Sequence, residues 1–349
     1  MAKKPILVTG AHRSGTTWIG RTISQQSRVK FISEPFNADF PNESLRFVAR
    51  HSFCDYHSSS QKEEINTCFR NLLCKSLNSA VRESVRTSKN AGVDIRTPVR
   101  FCKQLFIELF QVERILVKDP FALLSAGWLH DTFNFDVIVM IRNPLAFVGS
   151  LKVAGWNFDF DNLRQQKYLM RGRLKQFSED IDIMCVEKNK YDIIDRAALL
   201  WNVLHFVILE YRSKYPWLFV KHEDIADAPA QGFRHIFDYL GLEINSSILS
   251  YIDHYTSESN PIEAETIHYQ PRNAKLSLHT WKGRLSEEEI ERVIACTSNI
   301  ASEFYDLSQI RKAPARCLDF FGHDHATQAW QYIYNSYTPR CPITTARTL

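Results

Sequence analysis

The chain contains no Cys-x-x-Cys pair. Its eight cysteines, at positions 54, 68, 74, 102, 185, 296, 317 and 341, are scattered. That spacing argues against a finger-type zinc site and against a dense disulfide framework. No apolar run approaches the length needed to cross a bilayer. The first strand begins almost at once, which leaves no room for a signal peptide, so the expected location is cytoplasmic. Neither charge sign dominates: 43 Lys and Arg against 39 Asp and Glu leave +4, too little to indicate a nucleic-acid partner. Internal repeats and low-complexity tracts are also missing. What remains is the composition of a soluble globular protein, 44% hydrophobic and 23% charged. Its 349 residues suffice for one large α/β domain or two smaller ones.

Residues 5–22 organise the rest. Ile6, Leu7 and Val8 form an apolar run suited to a strand buried on both faces. A tight turn runs from Gly10 to Gly15, and helical spacing begins at Thr16 with Trp18, Ile19 and Ile23. Strand, glycine loop and helix start, in that order, let backbone N–H groups and a helix N-terminus receive a phosphate. Gly10 and Gly15 have the Walker-A spacing, but Thr16 stands where its lysine would be, and the loop's cation is Arg13. This suits a single 5′-phosphate group better than a polyphosphate chain. The alternative is a P-loop kinase or nucleotide-binding protein using ATP and magnesium, with Asp119 as a Walker-B aspartate. Lys118 interrupts the apolar run just before that position.

Other strands have chemical endings. Val29–Ser33 is followed by Glu34-Pro35, and the proline fixes the carboxylate at the C-terminal edge, where open α/β sheets bind ligands. Glu34 thereby stands where a ligand would bind. A strand through Ile115 ends in Lys118-Asp119-Pro120, and Val137–Ile141 ends in Arg142-Asn143-Pro144. Pro144 suits the first position of a helix, which then carries Ser150. An arginine fork with a hydroxyl suits a monoester phosphate. The last strand, Pro216–Val220, runs into Lys221-His222-Glu223-Asp224, with the two acidic residues read as structural. An amphipathic helix is expected over Glu63–Val85, within a helical insertion at 37–110 bordering the acceptor cleft. A buried helix is expected over Arg196–Tyr211, and a capping box at Ser286 and Glu289. A long polar helix opening at Asp161 would align Arg164, Lys167, Arg171 and Lys175 as a solvated basic face. His323, Asp324 and His325 have no evident third ligand, and no metal is expected.

The run Gly10-Ala-His-Arg-Ser-Gly-Thr-Thr-Trp18 resembles the 5′-phosphosulfate loop of sulfotransferases that use 3′-phosphoadenosine-5′-phosphosulfate (PAPS). Further family signatures follow in order: Glu34-Pro35, Lys118-Asp119-Pro120, Arg142 with Ser150, and Glu223-Asp224 before Leu240-Gly241-Leu242. The resemblance implies an α/β fold of P-loop NTPase type. It is a three-layer α/β/α arrangement with a central, mostly parallel sheet over residues 1–305, and 306–349 form an extension of unknown role. It assigns Arg13, Ser14, Gly15, Thr16, Thr17 and Trp18 to the 5′-phosphosulfate side, and Arg142 and Ser150 to the 3′-phosphate. Lys282 and Arg284 are further phosphate candidates, although the order Trp-Lys-Gly-Arg differs from the Arg-Lys-Gly of the small-molecule branch. Glu34, Lys118 and Arg13 take the catalytic roles. The Glu-Pro pair resembles that of carbohydrate sulfotransferases, which implies a polysaccharide, oligosaccharide or glycolipid acceptor and adenosine 3′,5′-bisphosphate as product.

Overall fold

Five strands form one sheet: β1 (Ile6–Gly10), β2 (Val29–Ser33), β3 (Arg114–Lys118), β4 (Asp136–Ile141) and β5 (Leu218–Lys221). Their spatial order is β2-β3-β1-β4-β5, and every pairing is parallel. The computed structural model describes residues 3–37, 53–56, 62–73, 81, 84–85, 97–106, 111–263 and 270–306. The α/β class is as expected, and the sheet is wholly rather than mostly parallel. β1 and β3 are buried along their whole length, and β4 from Val137 onward, which fits their unbroken Ile/Leu/Val runs. β5 begins two residues later than Pro216, at Leu218.

The chain divides into two compact units, Met1–Arg142 with Val207–Thr280, and Asn143–Phe206 with Trp281–Leu349. The first contains the sheet. On one face Ile6, Val8, Leu116, Ile138 and Met140 pack against the helices Thr16–Ile23, Pro229–Leu240 and Ser246–Thr256 through Ile19, Phe233, Phe237 and Ile252. The alternate residues Leu7, Val117, Val137 and Val139 are equally buried. The 3-10 turn Pro120–Ser125 and the helix Ala126–Phe133 contact β1 and β4, and they bury Leu123, Leu124 and Leu129. At the N-terminal edge the buried Arg114 guanidinium donates to Lys4 O, Leu240 O and Asp136 Oδ2 at 2.8, 2.6 and 2.6 Å.

The second unit is helical. Helix Pro144–Ala154 starts with proline at its first position, as expected, and with Asn143 Oδ1 accepting from Leu145 N at 2.9 Å. Arg196, buried on the helix Ile193–Lys214, donates to Asn157 Oδ1, Met184 O and Phe158 O. Helix Glu287–Ala301 opens with the expected capping box of Ser286 and Glu289. The long polar helix from Asp161 is broken into Asp161–Arg164, Lys167–Arg171 and a 3-10 turn at Lys175–Phe177. The chain leaves the helical region at Gln166, with ψ 77°, and again at Gly172, with ψ −108°. Arg164 pairs with Asp161 at 2.6 Å rather than extending a basic face.

Of the helix expected over 63–85, Lys62–Leu73 is described, with Ile65 and Phe69 buried, and 74–80 lie outside the described residues. Much of the 37–110 insertion and residues 307–349, with His323, Asp324 and His325, also lie outside them. No helix among the described residues is long and apolar enough to cross a membrane.

Gly10 has φ +137°, and a Cβ there would stand 2.3 Å from the Met140 carbonyl oxygen. That carbonyl belongs to the neighbouring strand and cannot retreat. Gly10→Ala is therefore expected to destabilise the protein by roughly 3 kcal/mol, read as a lowered denaturant midpoint.

Candidate active site

β1 delivers its loop at the C-terminal edge of the sheet. Ser14 turns the chain by donating both its N–H and its hydroxyl to Ala11 O. Arg13 and Gly15 take positive φ, 62° and 92°, and Gly15 forms the N-cap of helix Thr16–Ile23. The first-turn N–H groups of Thr16, Thr17 and Trp18 have no acceptor within the helix, and the positive end of its dipole lies there too. Arg142, at the end of the adjacent β4, donates from its guanidinium to Arg13 O and so brings a second arginine against the loop. The loop is a cradle of N–H groups and cations suited to an anion.

β5 adds a residue whose part the sequence did not disclose. His222 follows Lys221 and lies against Gly15, where a Cβ would come within 2.5 Å of its Nδ1. The ring also meets Trp18 edge-on at 5.7 Å, while Trp18 meets Phe233 at 5.4 Å. Burial, then Arg142 and Arg272, press the His222 pKa from 6.5 to about 3, against the opposing pull of a hydrogen bond to the Ser14 backbone. His222 Nδ1 and Trp18 Nε1 are buried without a protein hydrogen-bond partner. The rule that ligands sit at strand C-termini would have singled out His222.

β2 and β3 supply an ion pair. Their register places Ser33 beside Lys118, so Glu34 leaves the sheet next to the lysine. Lys118 is only 2% exposed, and its ammonium bonds Glu34 Oε1. Asn37 Nδ2 donates to Glu34 Oε2 at 2.6 Å. Gly20 leaves the space through which Lys118 passes, since a Cβ there would be 3.0 Å from Lys118 Cγ. Asp119 is fully buried and accepts from Phe36 N and Phe121 N at 2.6 and 2.9 Å. Burial pushes its carboxyl up to about 7, with the Phe36 N–H working against the rise and Glu34 adding to it. Both oxygens of Asp119 are thus engaged by backbone amides, and the residue caps the turn Pro120–Ser125. Among the described residues no three His, Cys, Asp or Glu side chains come together to hold a metal ion.

Thus Arg13, Ser14, Gly15, Thr16, Thr17, Trp18, Glu34, Lys118 and Arg142 all belong to one edge of the first unit's sheet. Ser150, Lys282 and Arg284 belong to the second unit. Ser150 is buried on the helix Pro144–Ala154. The basic segment is a helical turn, Trp281–Arg284. Gly149 makes room for it, because a Cβ there would already touch Trp281 and Arg284 at 3.5 and 3.6 Å. Lys152 Nζ caps the turn on Arg284 O at 2.9 Å, and the Lys282 ammonium lies 5.7 Å from the Trp281 ring centroid.

The buried histidines give acid sensitivity a definite sign. His12, His205 and His222 all have their pKa lowered from 6.5 to about 3, chiefly by burial. Their contribution is complete above pH 6.5 and is lost as pH falls towards 3, because the unfolded chain takes up the protons first. Asp119, raised, works oppositely: its contribution is complete below its unfolded value and is lost as pH rises through about 7. His222→Gln is expected to retain roughly 1–2 kcal/mol more of its pH 7.5 stability at pH 5 than the parent does. Denaturation curves at the two pH values check this.

Residues 5–246 match the model of the sulfotransferase family. The carbohydrate sulfotransferase 1 of Danio rerio is 24% identical over 96 residues, covering 26% of this chain and 23% of that protein. The chain thus spans about a quarter of the length of that relative. Solved structures similar to this one include the sulfotransferase domain from the curacin biosynthetic pathway, 13% identical, with a TM-score of 0.42 over 85% of this chain and 98% of that one. Another is mouse sulfotransferase SULT7A1 complexed with PAP, 12% identical, with a TM-score of 0.39 over 88% and 87%. The family match covers well over half of the chain, which therefore belongs to the sulfotransferase family.

Proposed function

We propose that this sulfotransferase moves the sulfonate of PAPS to a hydroxyl of a carbohydrate acceptor, with Glu34 as general base. The observation that carries the reading is the Glu34–Lys118 pair, set at the edge of the sheet that also bears the phosphate loop. PAPS is the family's donor, and when bound it supplies an electrophilic sulfur with adenosine 3′,5′-bisphosphate as leaving group. Arg13 and the N–H groups of residues 14–17 hold the 5′-phosphosulfate, and Trp18 lies alongside. Arg142 is proposed for the 3′-phosphate, and Ser150, Lys282 and Arg284 are proposed for it on sequence pattern.

Glu34 takes the acceptor's proton as the acceptor oxygen bonds to sulfur and the sulfur–oxygen bond to phosphate breaks. Lys118 stabilises the charge that develops on the departing oxygen. Its ion pair with Glu34 sets both groups within reach of one reacting centre. The lean towards carbohydrate rests on Glu34-Pro35 and on the 96-residue similarity to the Danio rerio enzyme. Residues 1–305 are read as the catalytic part, and the insertion at 37–110 as a border of the acceptor cleft.

Incubation with PAPS labelled in its sulfonate, across a panel of oligosaccharides, glycolipids, phenols and peptides, tests the reading. Label is expected on a carbohydrate, and label on a phenol or tyrosine alone would overturn the acceptor class. Glu34→Gln is expected to lower kcat by about 10²–10⁴-fold while the nucleotide dissociation constant stays within twofold. Lys118→Met is expected to lower kcat by about 10²–10³-fold.

A further inference from the structure

Glu34 is held in an uncommon backbone conformation. Its φ is +47°, and it precedes Pro35, a position that restricts the backbone still further. A side chain larger than glycine in that region costs on the order of 1 kcal/mol or more and persists only where its surroundings over-determine it. The surroundings here are specific. Glu34 N donates to Lys118 O at 2.7 Å, and Asn37 N donates to Glu34 O at 3.1 Å. Between those two bonds lies the Phe36 N–H, which points at Asp119 Oδ2, 2.6 Å away. Asp119 is itself anchored to the sheet, because its own N–H donates to Val8 O at 2.9 Å. Its second oxygen caps the turn Pro120–Ser125 through Phe121 N. A wholly buried carboxylate is an expensive way to cap a 3-10 turn, since a serine would serve. What a serine cannot do is reach across to the Phe36 amide.

We propose that Asp119 is the positioning residue for Glu34, fixing the Glu34–Phe36 turn through the Phe36 amide so that the base carboxylate is aimed at the acceptor hydroxyl. This rests on the reading of Glu34 as general base. Asp119 itself touches neither nucleotide nor acceptor and acts only through the turn it holds.

Asp119→Ser separates the two roles of the carboxylate. The serine hydroxyl keeps the cap on Phe121 N and ends too short for Phe36. Three quantities are read on the full chain: kcat, the dissociation constant of adenosine 3′,5′-bisphosphate, and amide hydrogen exchange resolved at Phe36. Exchange at Phe36 is expected to accelerate at least tenfold and kcat to fall at least tenfold, with nucleotide binding within twofold of the parent. A kcat within twofold despite accelerated exchange would overturn the proposal, as would unchanged exchange at Phe36. Equal losses in kcat and nucleotide binding would also overturn it, because they would make Asp119 merely structural. Should Asp119→Ser not fold, Asp119→Asn, which retains the length but not two acceptors, is read by the same criteria. Glu34→Gln run in parallel keeps the failures apart. Full activity there removes the base role itself, whereas an inactive Glu34→Gln beside a fully active Asp119→Ser removes only the positioning role.

Discussion

In a wholly parallel sheet with β1 between β3 and β4, three consecutive strands must release their chains at the same edge. The phosphate loop, Lys118 and Arg142 are those three releases. β2 and β5 flank them and add Glu34 and His222. The site follows from strand direction and order before any side chain is considered, as open α/β sheets generally place their ligands. Close approach of the strands then selects residues. Gly10 lies against the Met140 carbonyl, Gly15 against His222, and Gly20 leaves the channel for Lys118.

Electrostatics at this edge are arranged around charges that are partnered rather than removed. Lys118 is almost wholly desolvated, and Glu34 compensates it, with Asn37 engaging the other carboxylate oxygen. Loss of Glu34 leaves the buried Lys118 charge alone, which typically costs about 3–5 kcal/mol. His222 carries no charge at neutral pH because it is buried, with Arg142 and Arg272 adding to the effect. The positive potential beside the loop is thus supplied by arginines whose charge does not vary with pH. Glu34 keeps its strained backbone at the same edge, where Lys118 O, Asn37 and Asp119 each hold part of one short turn.

Much of this was legible from the chain alone. The loop and its two glycines, the four strand endings, Pro144 at a helix start and the Ser286–Glu289 capping box are local patterns, and each occurs where its pattern places it. The pairing of Glu34 with Lys118 joins residues 84 positions apart. It depends on the β2–β3 register, which no local spacing records. The parts of Asn37 and Asp119 depend on side-chain reach across strands and were illegible for the same reason. The polar segment after Asp161 misled because charges at helical intervals were weighed above the breaks at Gln166 and Gly172, whose ψ angles of 77° and −108° lie outside the helix.

Under the proposed function, this edge holds a nucleotide carrying a 3′-phosphate rather than ATP with magnesium. Thermal unfolding of the full chain with adenosine 3′,5′-bisphosphate, beside ADP and ATP–magnesium, tests it most directly. Ligand at a hundred times its dissociation constant stabilises the folded state by about 2.7 kcal/mol. The account predicts a clear rise in Tm with the 3′,5′-bisphosphate and little change with the other two. A rise with ATP–magnesium alone would contradict it.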